Sequence, residues 1–145
     1  GTYSAGRDFE RTAAGVPLYL AGDQYPLVRA RINDRLETLL FLDTGMIGAA
    51  SGLPFSSAEE AEVEVARDIA GAGFGIASEM QARPFLCRSV EAAGARRNDL
   101  PGMLIGQFRL EHQFGFHIGG LLGDGFVQGG VLTLDFQNMR LSYGL

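Results

Sequence analysis

The sequence predicts a mostly-β domain with one or two short helices. Short apolar runs alternate with turn-forming residues along all 145 residues, and the 21 glycines are spread through the chain. Several runs alternate apolar and charged side chains with a period of two, as half-exposed strands do. A chain of this length is expected to be one domain. We therefore predict a domain over residues 16–145, preceded by an N-terminal extension over residues 1–15.

Three strands are predicted at the start of the domain. Residues 16–20 form the first, and residues 27–32 alternate apolar and charged side chains as the second. Asn33 and Asp34 are typical of a tight turn, since both tolerate the left-handed backbone that such turns need. The third strand is therefore predicted to return over residues 36–42.

The middle of the chain predicts a short helix and two strands joined by a glycine-rich segment. Residues 56–60, Ser-Ser-Ala-Glu-Glu, resemble a capping box that begins one helical turn. A strand over residues 63–69 leads to the glycines of residues 71–75, and residues 76–90 return as the partner strand. A polar turn is predicted at residues 96–99, Arg-Arg-Asn-Asp.

The last third predicts a short strand, a helical turn and a terminal hairpin. The strand is expected at residues 103–105, and residues 108–118 are expected to be irregular or helical. Residues 124–128 can form one helical turn, which the Gly-Gly pair after them ends. Residues 131–136 and 139–143 then pair as a hairpin across Gln-Asn.

One predicted strand ends on an acidic residue. Residues 39–42, Leu-Leu-Phe-Leu, run directly into Asp43, Thr44 and Gly45. A carboxylate at the end of an apolar strand is costly unless it is hydrogen-bonded or neutralised, so Asp43 has either dedicated partners or a chemical role. Gly45 lets the chain turn sharply away from the strand. The Asp-Thr-Gly tripeptide alone is weak evidence for a functional site, so its interpretation depends on the rest of the sequence.

Segments far downstream supply that context. Leu121, Leu122 and Gly123 form an apolar-apolar-Gly turn, and residues 131–136, Val-Leu-Thr-Leu-Asp-Phe, begin the terminal hairpin. Together with the strand into Asp-Thr-Gly and the glycine-rich segment, this order resembles the retropepsin-like aspartic proteases, in particular bacterial members with a single Asp-Thr-Gly. The resemblance extends over about residues 16–143 and lies in the order of the segments more than in their letters.

The resemblance implies a closed antiparallel retropepsin-like acid-protease fold and the activity of an aspartic endopeptidase. In that family two carboxylates share one proton and act as acid and base on either side of the scissile carbonyl. Because this chain has a single Asp-Thr-Gly, the dyad requires a homodimer in which the two copies of Asp43 meet on a two-fold axis. Thr44 would hold the paired loops together, and Gly45 would let the substrate backbone approach. The expected partners are a peptide or protein substrate and a second copy of the chain.

The resemblance also implies a substrate-binding set. The glycine-rich segment would be a flap that closes over bound peptide, with Phe74 pressing on the substrate or on the partner flap. Met46 departs from the family, which usually has Ala or Ser there, and we expect its larger side chain to narrow the cleft. The residues assigned to substrate binding are Met46, Gly71, Gly73, Phe74, Gly75 and Leu121.

Other interpretations of the same residues remain open. Asp43 also fits a turn-capping Asp in an unrelated β-domain, and residues 71–75 also fit a plain glycine-rich turn. A dinucleotide-binding loop is rejected, because Ile76 stands where that fingerprint needs its last glycine. Asp124 and Asp135 lack an Asp-Thr-Gly setting, so neither is expected to be a second catalytic acid. The alternative function is a non-catalytic peptide- or protein-binding domain on the same fold.

Composition and the remaining reactive residues argue against several other classes. The net charge of −5 disfavours nucleic acid as a partner, and no apolar run approaches the length that spans a bilayer. His112 and His117 have no companions at metal-ligand spacing, so we expect no metal and no cofactor. Cys87 is expected to be a packed thiol. Residues 1–15 contain no signal-peptide hydrophobic segment, which leaves the compartment open, export to a bacterial periplasm included.

Overall fold

The computed structural model describes residues 15–65, 83–106 and 113–145, which contain ten strands and two short helices. The strands are β1 (Val16–Ala21), β2 (Tyr25–Ile32), β3 (Leu36–Asp43), β4 (Ser51–Leu53), β5 (Glu64–Val65), β6 (Pro84–Ala92), β7 (Ala95–Leu104), β8 (Gly120–Gly123), β9 (Val131–Asp135) and β10 (Arg140–Gly144). The helices are α1 (Phe55–Glu60) and α2 (Asp124–Val127). Over these ranges, no helix is long and apolar enough to cross a membrane. The predicted mostly-β class with one or two short helices is confirmed.

The strands join one sheet that closes on itself. Its order is β5-β6-β7-β4-β8-β3-β2-β1-β10-β9, and an additional pairing of β6 with β2 closes a ring of β2, β3, β8, β4, β7 and β6. Most neighbours are antiparallel, whereas the β3–β8 and β4–β7 pairs are parallel. The closed ring brings the carboxyl ends of β3 and β8 side by side.

Apolar side chains fill the interior of the ring. Strands turn every second residue inward, so Leu40 and Leu42 of β3 are buried, whereas Leu39 and Phe41 are half-buried on the opposite face. Phe126 of α2 is fully buried, and burial of such a side chain contributes about 1.5–3 kcal/mol, which ties this short helix to the barrel. The other large, fully buried side chains of this core include Ile32, Leu36, Leu53 and Leu122. Leu27 and Ile118 belong to a second, smaller cluster, against which Leu39 and Phe41 pack.

The β2–β3 turn forms at the predicted Asn-Asp pair. The Arg35 N–H donates to the Ile32 carbonyl at 3.0 Å, and the two central residues have φ angles of 54° and 57°, as a two-residue hairpin turn requires. Asn33 is buried; its Nδ2 donates to the Ala61 carbonyl at 2.9 Å, and its Oδ1 accepts the Ser89 N–H at 3.2 Å. The turn therefore also fastens the end of α1 and the middle of β6.

The polar turn predicted at residues 96–99 is wrong, because these residues lie inside β7. The hairpin turns at residues 93–94 instead, where φ is 52° and 77°. Arg96 is exposed on the hairpin surface, and its guanidinium donates to Asp34 at 2.7 and 2.9 Å and to Glu91 at 2.6 Å. Arg96 is thus an outward side chain of a strand, and its ion pairs join the β2–β3 turn and the neighbouring strand β6.

Three further details of the sequence prediction are corrected or extended. The predicted capping box is wrong, because α1 begins at Phe55 after Pro54, no side chain caps it, and Ser57 is buried. The strand predicted at residues 103–105 is the end of β7. The sequence does not predict β4, since Ser-Gly-Leu shows no alternation and forms a strand by pairing with its neighbours β7 and β8. The terminal hairpin of β9 and β10 is confirmed.

One edge of β2 is shared by two strands that diverge. β1 pairs with it as far as Leu18↔Val28, and β6 pairs with it from Arg31↔Glu91 onward. β1 leaves β2 because its first residues pair with β10 instead. We call the opening between β1 and β6, beside residues 29–30 of β2, the fork.

Candidate active site

The catalytic candidate stands at the carboxyl end of β3. Phe41 and Asp43 share the face turned away from the core, whereas Leu42 between them is buried. Asp43 is half-buried, and Thr44 and Gly45 after it are exposed. The position of the carboxylate is thus set by the packing of the strand that carries it.

The turn after β3 holds one oxygen of the Asp43 carboxylate. The Gly45 N–H donates to Oδ1 at 3.0 Å, and the Met46 N–H donates to the Asp43 backbone carbonyl at 3.2 Å. A Cβ atom on Gly45 would lie 3.1 Å from Oδ1, so a side chain there would crowd the carboxylate. Within the described ranges Oδ2 accepts no hydrogen bond, which leaves it available to a water or to a second carboxylate.

The loop that follows Asp43 is braced by β8 and the start of α2. Asp43 lies opposite Gly123 in the parallel β3–β8 pair. The Gly123 N–H donates to the Ala50 carbonyl at 2.9 Å, and the Gly125 N–H donates to the Ala49 carbonyl at 3.0 Å. A Cβ atom on Gly123 would lie 2.3 Å from the Ala49 oxygen, so the approach of the two segments requires glycine. The apolar-apolar-Gly turn therefore fixes the loop that carries Asp43.

Met46 packs where the loop after Asp43 meets β8. Its Sδ atom lies 2.9 Å from the place of a Cβ atom on Gly52, and its Cε atom lies 2.4 Å from that of a Cβ atom on Gly123. The Met46 side chain is half-buried and covers Gly52 and Gly123. A larger residue at either of these two positions would collide with it. That Met46 also narrows a substrate cleft stays a prediction.

Leu121 lies on the same sheet face as Asp43. It is half-buried in β8, next to the fully buried Leu122, and it pairs with Phe41 of β3. Phe41 stands two residues before Asp43 along β3, a distance of about 7 Å. Asp43 is therefore flanked on its own face by apolar side chains of both strands, and the assignment of Leu121 to substrate binding stays a prediction.

The sequence does not predict an aromatic row that adjoins this face. The rings of Tyr25 and Phe41 meet edge-on with centroids 5.5 Å apart, and those of Tyr25 and Phe114 do so at 5.4 Å. Phe116 follows with its centroid 6.2 Å from that of Phe114, and it is 41% exposed. Phe41 could have been found from its position two residues before Asp43, whereas the contacts of the other rings depend on tertiary packing.

The other reactive side chains have structural partners. Asp135 is buried in the β9–β10 turn, where the side-chain and backbone N–H groups of Asn138 donate to its carboxylate at 2.7 and 2.9 Å and lower its pKa. Asp124 begins α2 and accepts a side-chain hydrogen bond from the end of the same helix at 3.0 Å. Cys87 is fully buried; burial raises the pKa of its thiol, which lies 3.3 Å from Ser51 Oγ. The described residues contain no group of His, Cys, Asp and Glu that could hold a metal ion.

The flap falls in a segment that the structure does not describe. The strands on either side of this segment, β5 and β6, are antiparallel neighbours and pair Val65 with Phe85. The assignment of the flap therefore stays a prediction. The residues concerned are Gly71, Gly73, Phe74 and Gly75.

The fold of this chain is similar to that of a solved protease. The crystal structure of a retropepsin-like aspartic protease from Rickettsia conorii matches with a TM-score of 0.58 and 16% sequence identity, over 90% of this chain and 90% of that chain. The fold is retropepsin-like. The retroviral protease-like domain of Ddi1 from Leishmania major matches with a TM-score of 0.45 and 16% identity, over 82% of this chain and 93% of that chain. No protein-family model and no curated protein matches the sequence.

The retropepsin-like fold implied by the resemblance is thereby confirmed. A match at 16% identity concerns the fold alone. The predictions of the catalytic residues, the dimer and the substrate-binding residues therefore stay predictions.

Proposed function

We propose that this chain is an aspartic endopeptidase that hydrolyses peptide bonds with two Asp43 carboxylates, one from each subunit of a homodimer. The observation that carries the proposal is the setting of Asp43 on a retropepsin-like fold: a buried strand delivers it, the turn holds Oδ1, and Oδ2 is left available. A carboxylate held in one orientation at the protein surface meets the geometric requirement of acid–base catalysis.

The chemistry of the proposed dyad follows from charge repulsion. Two carboxylates in contact share one proton, because like charges so close together cannot both ionise. The ionised Asp43 takes a proton from a water molecule, which attacks the scissile carbonyl, while the protonated Asp43 gives its proton to the carbonyl oxygen. The tetrahedral gem-diol then breaks at the C–N bond: the protonated Asp43 gives its proton to the leaving amine, and the other Asp43 takes one hydroxyl proton of the gem-diol, which releases a carboxylic acid and restores the singly protonated dyad. Activity should show a bell-shaped pH profile with its maximum in acid, because the dyad titrates as one unit.

The proposed dimer places the exposed tip of the catalytic loop on the two-fold axis. Thr44 and Gly45 are exposed in the single chain, so they are accessible to a second copy. We expect the Thr44 hydroxyl to bond across the axis and to keep the two carboxylates coplanar. Sedimentation velocity at micromolar concentration, with and without a peptide-like inhibitor, tests the assembly. A strict monomer in both samples contradicts the dyad.

The substrate is proposed to bind as an extended strand across the face that holds Asp43. Phe41, two residues before Asp43 on β3, and Leu121, opposite Phe41 on β8, make this face apolar beside the carboxylate. Peptides with apolar side chains beside the scissile bond should therefore be cut in preference to those with charged side chains. The cleavage sites found in a diverse peptide library measure this preference, and Phe41→Ala should weaken it.

The decisive test replaces Asp43 with asparagine. Asn keeps the shape of Asp and can still accept the Gly45 hydrogen bond, but it can neither hold the shared proton nor activate water, so cleavage should fall to background while the fold remains. Asp99→Asn is the matched control, because Asp99 is an exposed residue of β7 whose φ of 54° asparagine tolerates. Both variants and the wild type are compared on the peptide library from acidic to neutral pH.

Two outcomes of this test would reject the catalytic proposal. Equal cleavage by the wild type and Asp43→Asn would assign the activity to a contaminant or to another group. Peptide binding by the wild type without cleavage would instead favour the alternative function, a non-catalytic peptide- or protein-binding domain on the same fold.

A further inference from the structure

The fork opens into a groove of about 590 Å³ on the barrel wall. This volume is within the range of about 300–1,000 Å³ that is typical of ligand sites. Glu37 lines the groove and lies near the amino end of β3, whereas Asp43 ends that strand about 20 Å away. The groove is therefore separate from the proposed catalytic site. Its lining includes Val16 and Pro17 on one side and the small residues Ala30, Ala92 and Ala93.

One charged side chain of the groove has no ion-pair partner among the described residues. Arg31 pairs with Glu37, and Arg96 pairs with both Glu91 and Asp34. Arg29 also lines the groove and is exposed, and no acidic side chain of the described ranges pairs with it. In a chain with a net charge of −5, the wall of the groove thus presents an arginine that is available to a carboxylate.

The backbone at the fork is also open to an additional strand. β1 and β6 pair with β2 on either side of residues 29–30, and no other described strand pairs with this stretch of the β2 edge on that side. An unpaired strand edge offers N–H and carbonyl groups to an extended peptide. The groove therefore combines a free edge, a small apolar floor and an arginine.

We propose that this groove binds residues 8–10 of the same chain, Asp-Phe-Glu, with an acidic side chain on Arg29 and Phe9 on the alanine floor. Residues 8–10 lie outside the described ranges, whereas Val16, through which they are joined to the barrel, lies within them. Val16 lies on the wall of the groove, and continuation of the β1–β2 register places Arg29 opposite Pro17. The six Cα–Cα steps from Glu10 to Val16 span up to about 20 Å, which is enough for the segment to fold back over neighbouring strands about 5 Å apart.

The sequence of the segment suits this site. Successive side chains of an extended strand point to opposite sides, so binding of this segment as a strand would place Asp8 and Glu10 on one side and Phe9 on the other. The carboxylates can then face the arginine while the ring covers the floor. Attachment through Val16 makes the binding intramolecular, with an effective concentration in the millimolar range, so a weak contact is enough to fill the groove. The proposal does not depend on catalysis.

The test uses a labelled peptide of residues 5–15 and the protein with or without residues 1–14. Fluorescence anisotropy should show saturable binding to the truncated protein, and binding about tenfold weaker to the full chain, whose own segment competes. Arg29→Glu in the truncated protein should weaken binding about tenfold, because it replaces attraction by repulsion. Arg88→Glu is the matched control, since Arg88 is an exposed residue of β6 outside the groove. A Glu10→Arg peptide should bind Arg29→Glu better than it binds the wild type.

Several results overturn the proposal, provided that circular dichroism shows each variant to be folded. Equal effects of Arg29→Glu and Arg88→Glu show that net charge alone attracts the peptide, as does equal binding of a scrambled peptide. Equal binding to the full and truncated chains shows that the chain's own segment does not occupy the groove. Absence of saturable binding up to about 10 mM peptide overturns it as well, since that exceeds the effective concentration.

Discussion

Gly123→Ala should destabilise the protein strongly, because the loop after Asp43 leaves no space for a Cβ atom. An ideal Cβ atom at this position lies 2.3 Å from the Ala49 oxygen, 2.4 Å from Met46 Cε and 3.0 Å from the Met46 oxygen. Two of these three atoms belong to the backbone. That backbone is itself held by the N–H groups of Asp124 and Gly125, so it cannot withdraw without breaking hydrogen bonds.

The magnitude follows from the distance that the loop must move. Ordinary contacts of a Cβ atom begin at 3.4 Å, so the Ala49 carbonyl must shift by about 1 Å. Overpacking of this kind costs about 1–3 kcal/mol, and we expect about 3 kcal/mol because the nearest neighbour is backbone. For a chain of this length, that corresponds to a fall in Tm of about 10 °C. Addition of Met46→Ala relieves one contact of the three, so it should restore less than half of the loss.

Urea unfolding followed by circular dichroism, at one fixed protein concentration, measures the effect. The midpoint should fall with an unchanged m value, which shows that native stability has changed. Gly106→Ala is the control, since a Cβ atom there meets no described residue within 4 Å and alanine should be neutral or stabilise by up to about 1 kcal/mol. If the free energy of unfolding of Gly123→Ala lies within about 0.5 kcal/mol of the wild type, the loop after Asp43 packs less tightly on Gly123 than the distances imply.

Three further perturbations test other parts of the structure by the same urea assay. Asn33→Ala leaves two buried backbone groups unpaired and puts alanine at a φ of 54°, so it should cost about 3 kcal/mol; a loss below about 1 kcal/mol contradicts the buried hydrogen bonds. Arg97→Lys should cost about 1–2 kcal/mol, because the guanidinium donates to the Phe126 and Gln128 carbonyls at the end of α2; an unchanged midpoint rules out this cap. Asn138 lowers the pKa of Asp135 below 3.8, so the carboxylate stabilises the fold above that pH and ceases to do so as the pH falls through its lowered pKa. The stability gap between the wild type and Asp135→Asn should therefore shrink as the pH is lowered from about 7 to about 2, and a constant gap contradicts the shift.

Local chemistry explains what could be predicted from the sequence. The strand into Asp43 follows from an apolar run that ends at a carboxylate and a glycine, and the β2–β3 turn follows from an Asn-Asp pair that accepts positive φ. The terminal hairpin follows from two apolar runs around Gln-Asn. In each case the residues that decide the conformation are adjacent in the chain, so the pattern is visible without the fold.

The failures concern residues whose conformation is decided by distant parts of the chain. Arg96 lies in a strand, where it meets Asp34 of another hairpin, and no local signal distinguishes this arrangement from a polar turn. β4 is a strand because β7 and β8 enclose it. The packing of Met46 on Gly52, and of Phe114 on the ring of Tyr25, likewise joins segments that the sequence separates widely.

The parallel pairing of β3 with β8 determines when, during synthesis, the site can form. Asp43 leaves the ribosome before its neighbour Gly123 and before the N–H groups that hold the following loop. Contacts between segments so far apart in the chain form late, after the intervening strands have been made. A nascent chain that ends before β8 therefore contains Asp43 without the hydrogen bonds that hold its loop. The proposed activity accordingly requires that translation has passed β8.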